Sequence, residues 1–140
     1  VNARMEELHA AVLREKLRVL DEWNERREKI ARYYIGRLMA KPAIIAPGVP
    51  RWARHAWHLF VIEVDQRETV RERLAAEGVG TAVHYPLPPH RTAAMEPLGP
   101  FPPLPITDRL CGRVISLPLN PFLGDSDADR VMDALDRCVP

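Results

Sequence analysis

The chain is 140 residues long, 46% apolar and 28% charged, with a net charge of +1. That is enough for one domain with a real core, and the balanced charge gives no reason to expect a nucleic-acid or membrane partner. No apolar run approaches the roughly 20 residues that span a bilayer, no signal peptide is visible, and Cys111 and Cys138 have neither metal-ligand nor CxxC spacing. Two free thiols in a cytoplasmic protein are therefore expected.

Residues from about Arg4 to Met39 read as helix. Met5, Leu8, Val12, Leu13, Leu17, Leu20, Trp23, Ile30, Tyr34 and Leu38 recur at steps of three and four, and charged residues fill the other side. Asn2 is the expected N-cap. A periodic segment this long implies a kinked pair, a spine between domains or an oligomer contact. After the proline-punctuated stretch 41–54, Ala43–Ala46 reads as a short strand and Ala56–Val64 as a firm one, aromatic and β-branched. Asp65 is expected to cap a helix over Arg67–Glu77, with Gly78 as its stop. Val79–His84 reads as a further strand. Pro86–Pro105 reads as proline-rich loop with one helical turn near Thr92–Met95, followed by a short helix over Ile106–Cys111 and a strand over Arg113–Leu117. Ser126 and Asp129 have the spacing of a capping box at the head of the last helix. Strands and helices mixed at this size predict an α+β fold, a small three-stranded sheet with helices packed on one face.

Chemistry-bearing residues gather in three places. His84, Tyr85 and His90 sit on a loop braced by Pro86, Pro88 and Pro89, so hydrogen-bonding rings are held on a stiff support. Strand alternation would put His84 and Tyr85 on opposite faces; the plainer reading is a packed tyrosine with two surface histidines. No third or fourth ligand has zinc spacing with His84 and His90, and no metal site is expected. His55, Trp57 and His58 adjoin the firm strand and read first as a core aromatic with a hydrogen-bonded histidine. Asn2 and Arg4 stand at a helix start, where free N–H groups, an amide and a guanidinium suit a phosphate; capping is the alternative. No nucleophile elbow, P-loop or dinucleotide fingerprint is present.

Several of these segments join into one pattern. Asn2-x-Arg4-Met5-x-Glu7-Leu8-x-Ala10-Ala11, Lys16-Leu17 and Trp23-Asn24-Glu25-Arg26-Arg27 lead into His55-x-Trp57-His58-x-Phe60-Val61-Ile62. Then come Gly78-x-Gly80-Thr81-x-x-His84-Tyr85-Pro86-x-Pro88-x-His90 and Ser116-Leu117-Pro118-Leu119. The whole chain, in this order, resembles the C-terminal part of the DegT/DnrJ/EryC1/StrS aminotransferases, fold-type I enzymes that use pyridoxal 5′-phosphate. The resemblance implies a long inter-domain or dimer helix over residues 1–40 and a small α+β domain over 41–140. It implies transfer of an amino group from glutamate or glutamine to a nucleotide-linked keto sugar, or to an aminocyclitol ketone, by a cytoplasmic homodimer. The catalytic lysine and most cofactor contacts would lie outside this chain, leaving the fragment alone inactive. Asn2, with Arg4, would reach the cofactor phosphate of the neighbouring subunit, and His84, Tyr85, His90 and His58 would face the substrate. His9 stands where the family has glutamine, and Pro89 stiffens the loop beyond the family pattern. A non-enzymatic binding or regulatory module of the same fold is the alternative. A nucleic-acid binder is disfavoured, since aromatic residues do not alternate with the basic ones.

Overall fold

A computed structural model describes residues 4–139. The long helical segment is a kinked pair, α1 (Glu7–Leu17) and α2 (Leu20–Leu38). At the break the N–H groups of Arg18 and Val19 reach the carbonyls of Glu15 and Lys16 at 3.3 and 3.2 Å, the three-residue step of a tighter turn. No glycine or proline marks the place, so the apolar period runs through it unbroken. The expected cap Asn2 lies outside the described residues, and Glu6, ahead of α1, makes no side-chain capping bond. α1 buries no residue, whereas α2 buries Ile30, Ala31, Tyr34 and Leu38.

Strands β1 (Ile44–Ile45), β2 (Phe60–Val64) and β3 (Val114–Leu117) form an antiparallel sheet in the order β1-β2-β3. β2 starts later than its composition predicts because Trp57, at φ 50°, turns its ring into the core. Val79–His84 is not a strand. It contributes a single bridge, Ala82 to Ser116 on the free edge of β3; Gly78, Gly80 and Pro86 leave too few ladder-competent residues between them.

Alternation along β2 sends Phe60, Ile62 and Val64 to one face, and the register Phe60↔Leu117 and Ile62↔Ile115 sets β3 to match. The helical cover lies on that face. Helix α5 (Asp125–Cys138) packs against α2 and α3 (Arg67–Ala76), and its Val131, Met132 and Leu135 share one core with the sheet. Tyr34, Phe60 and Trp57 run through this core as successive ring contacts of 5.1 and 5.6 Å. Each large side chain so buried contributes about 1.5–3 kcal/mol. Helix α4 (Pro105–Cys111) precedes β3. The α+β class and a three-stranded sheet are thus as the sequence predicts, with the short β1 in the place that Val79–His84 was expected to fill.

Helix ends depart from their expected chemistry. Gln66, left-handed at φ 51°, not Asp65, heads α3, and Asp65 pairs with Arg113. Gly124 heads α5; Ser126 lies inside it, and Asp129 accepts a hydrogen bond from the Tyr33 hydroxyl. The stop at Gly78 holds. Its φ is 76°, its N–H donates to the Ala75 carbonyl at 3.0 Å, and that of Val79 donates to Leu74 at 2.8 Å. With Val79 and Leu74 both buried, this is a complete Schellman closure.

One polar seam ties α2 to α5. Lys29 meets Asp125, Tyr33 meets Asp129, Arg37 meets Asp133 and Asp136, and Lys41, just past α2, meets Asp136. The pairs advance in the same sense, so the two helices run parallel.

Candidate functional site

The site grows from β3. In that strand Ile115 and Leu117 point to the core, which sends Ser116 to the opposite face, yet Ser116 is only 5% exposed. Its N–H donates to the Ala82 carbonyl at 2.8 Å and its carbonyl accepts from Ala82 N–H at 3.2 Å. Its Oγ lies 2.8 Å from His84 Nδ1. The half-buried His84 ring is therefore anchored on the sheet. Tyr85, 70% exposed, stands edge-on to it with ring centroids 5.6 Å apart. Alternation had placed these two rings on opposite faces. The structure brings them together, because the regular strand geometry that alternation assumes is absent past Ala82.

His90 follows on a 3₁₀ turn (Pro89–Arg91) after the buried Pro88. Asp108 on α4 binds this turn: its Oδ2 is 2.8 Å from Arg91 Nη2 and its Oδ1 3.5 Å from His90 Nε2. Phe101 stands against the His90 ring at 6.3 Å. Together with Thr92 these residues line an open depression of about 910 Å³. The contacts of His90 are thus with Asp108 and Phe101, and those of His84 with Ser116 and Tyr85, giving two adjoining stations along one loop.

The other expected residues divide. His58 is exposed, and the hydrogen-bonded histidine beside the core aromatic is His55, whose Nδ1 accepts Trp57 N–H at 2.8 Å while its ring lies 4.1 Å from the indole. Arg4 is exposed, and Asn2 lies outside the described residues. Ser116 and Asp108 were missed as site residues. A serine inside the apolar run Val114-Ile115-Ser116-Leu117 was the available signal for the first. Asp108 had none, since its partners are 17 and 18 residues away.

Strong electrostatics lie elsewhere, on the α2–α5 seam. Hydrogen bonds to Asp133, Asp136 and Tyr33 raise Arg37 above the usual arginine value. Burial pushes Asp136 up, but bonds and charge from Lys41 and Arg37 outweigh it and leave the carboxyl below the usual aspartate range. The bond to Asp129 leads the causes that raise Tyr33. This seam also occupies two of the lysines: Lys29 Nζ lies 3.0 Å from Asp125 and Lys41 Nζ 2.9 Å from Asp136, while Lys16 stands on exposed α1. Lys29 borders two shallow depressions beside α5, but its ammonium group is paired there with Asp125.

The profile of the DegT/DnrJ/EryC1/StrS aminotransferase family matches residues 1–136. The chain belongs to this family. One DegT/DnrJ/EryC1/StrS relative is the erythromycin biosynthesis sensory transduction protein EryC1 of Saccharopolyspora erythraea, 45% identical over 136 residues, covering 96% of this chain and 37% of the relative. Another is a dTDP-3-amino-3,6-dideoxy-alpha-D-galactopyranose transaminase of Aneurinibacillus thermoaerophilus, 39% identical, covering 98% of this chain and 37% of the relative. The fold matches that of S. venezuelae DesV at a TM-score of 0.92 and 37% identity, over 98% of this chain and 37% of that one. It also matches NtdA of Bacillus subtilis, solved with the cofactor PMP bound, at a TM-score of 0.87 and 31% identity, over 99% of this chain and 33% of that one. The chain thus spans about a third of the length of these proteins.

Proposed function

We propose that this chain is the C-terminal, substrate-facing part of a pyridoxal-phosphate-dependent aminotransferase. The reaction moves an amino group from glutamate or glutamine to a nucleotide-linked keto sugar, with an aminocyclitol ketone as the related substrate. The observation that carries this reading is the pairing of His84, anchored on Ser116, with the exposed Tyr85, on a proline-braced loop of a chain in this aminotransferase family. The cofactor, held mainly by the remainder of the polypeptide together with the catalytic lysine, supplies the electron sink for amino transfer. The residues of this chain bind and orient. His84 and Tyr85 offer hydrogen bonds to oxygens of the sugar nucleotide, His90 and Arg91 add donors at the adjoining depression, and the prolines keep the loop from rearranging. Asn2, with Arg4, reaches the cofactor phosphate of the neighbouring subunit in a cytoplasmic homodimer. Helix α1 lays its exposed apolar stripe against the remainder of the polypeptide or its partner copy.

One observation favours a second reading, a binding or regulatory module of the same fold: the relative from S. erythraea bears the name of a sensory transduction protein. Turnover by the full-length polypeptide separates the two. Loaded with pyridoxal phosphate, it is expected to aminate a nucleotide-linked keto sugar with glutamate as donor, and His84→Ala to lower kcat/KM by about 10²-fold, with Tyr85→Phe less severe. Substrate or effector binding without turnover favours the module. Turnover that is indifferent to both substitutions removes His84 and Tyr85 from the site.

A further inference from the structure

Among the described residues, Ser116 is the one buried polar residue. Its backbone groups are both engaged by Ala82, and its side chain touches His84. A serine hydroxyl has one proton to donate, and a buried hydroxyl with no acceptor for that proton is unfavourable. Among the described residues, the acceptor in hydrogen-bond reach of Ser116 Oγ is His84 Nδ1, at 2.8 Å. The hydroxyl proton therefore points at Nδ1, and a neutral imidazole that accepts at Nδ1 carries its own proton on Nε2. We infer that Ser116 is a positioning residue that fixes His84 as the Nε2–H tautomer, so that the ring presents a hydrogen-bond donor to an acceptor oxygen of the bound substrate.

This inference rests on the substrate-facing reading of His84 and adds what that reading leaves open, namely which way the hydrogen bond runs. Ser116 acts at three points: two backbone bonds hold the chain at Ala82, and the third, from the side chain, sets the ring two residues on. An oxygen with free lone pairs fits the donor, whether a phosphate oxygen or a sugar hydroxyl. An ammonium group in the same place would meet a donor with a donor.

The test uses the full-length polypeptide with ¹⁵N-labelled histidine, at about pH 8, where an ordinary imidazole is neutral. Long-range ¹H–¹⁵N spectra, with His84→Gln to assign the signals, read the tautomer directly. The expected result is a protonated Nε2 in the parent, a mixed tautomer in Ser116→Ala, and the parent pattern again in Ser116→Thr, which keeps a hydroxyl. Thymidine diphosphate and thymidine-diphosphate-glucose are the binding probes. Ser116→Ala is expected to weaken thymidine-diphosphate-glucose by about threefold to tenfold, the range for one uncharged hydrogen bond, and Ser116→Thr to restore it. Equal weakening of both probes places the oxygen on the diphosphate, and weakening of the glucosyl probe alone places it on the sugar. A purely structural serine would lower the folded fraction and leave the tautomer and both affinities unmoved, and that outcome overturns the inference. A protonated Nδ1 in the parent overturns it as well. The reading of His84 as substrate-facing fails separately, if His84→Ala binds both probes as the parent does.

Discussion

Helices α1 and α5 both carry large apolar side chains at steps of three to five residues, yet only those of α5 find a home within the described chain. α5 buries Ala128, Val131, Met132, Ala134, Leu135 and Cys138. α1 leaves Leu8, Val12, Leu13 and Leu17 in solvent, with Met5 just ahead of it. Periodicity thus reports that a helix has a face to bury, and says nothing about where the covering surface comes from. A surface helix with so many bare apolar side chains is incomplete by itself, as befits a chain that spans about a third of its relatives.

Substitution of one leucine from each helix should expose the contrast most strongly. Leu135→Ala, at a fully buried position, is expected to cost about 2–5 kcal/mol in urea denaturation of this chain. Leu8→Ala should change it by about 0.5 kcal/mol or less, and by distinctly more in the full-length polypeptide. Equal losses at both positions in the isolated chain would mean that α1 has a partner within it.

The second probe is the joint where α3 hands over toward the site. An alanine at position 78 would adopt φ 76° with its Cβ 2.7 Å from Arg130 Nη2 on α5. Gly78→Ala should cost about 1–2 kcal/mol for the left-handed backbone alone, with the flexible arginine tip moving aside. Gly36, within α2 and with open space around it, should instead gain about 0.4–1 kcal/mol as alanine. Thermal melts of the two variants moving in opposite directions would bear out the difference.

The smallest effect is electrostatic, and it separates α5 from α1 by pH. Asp136 titrates lower in the folded chain than in the unfolded one, despite its burial, because Lys41 and Arg37 hold the carboxylate. Its contribution is therefore complete above the ordinary aspartate pKa of about 3.9 and fades as pH falls through the lowered folded value. Arg37→Met should cost about 1 kcal/mol or less at neutral pH and make the acid side of a melting-temperature profile shallower. A profile of unchanged slope would show that the seam adds no acid-sensitive stability.

What the sequence made legible follows the same division. The α+β class, the core of β2, the stop at Gly78 and the identity of the loop carrying His84, Tyr85 and His90 all follow from local chemistry, where a residue type constrains its own backbone. Three features were hidden, two of them because they depend on partners distant in the chain. The break at Arg18–Val19 has no breaker residue. The caps read at Asp65 and Ser126 went elsewhere, since Asp65 found Arg113 and Asp129 found Tyr33. Alternation misplaced His84 against Tyr85 because the strand it presumed has only one bridging position. Ser116 lies in the motif Ser116-Leu117-Pro118-Leu119, but its role becomes visible only when the site is assembled, 32 residues from the histidine it holds.

The seam between α2 and α5 constrains sliding in one direction only. Its pairs repeat at nearly every turn, so a shift of α5 by one turn, about 5.4 Å, brings a fresh set of partners into line. Shifted one way, Arg37 would face Arg137 where Asp133 now stands. Shifted the other way by the same four residues, Arg37 would face Asp129 and Tyr33 would face Asp125, both favourable. The charges act as a ratchet, and against the permitted slip it is the shapes of Met132 and Leu135, seated in the core, that hold the helix in place.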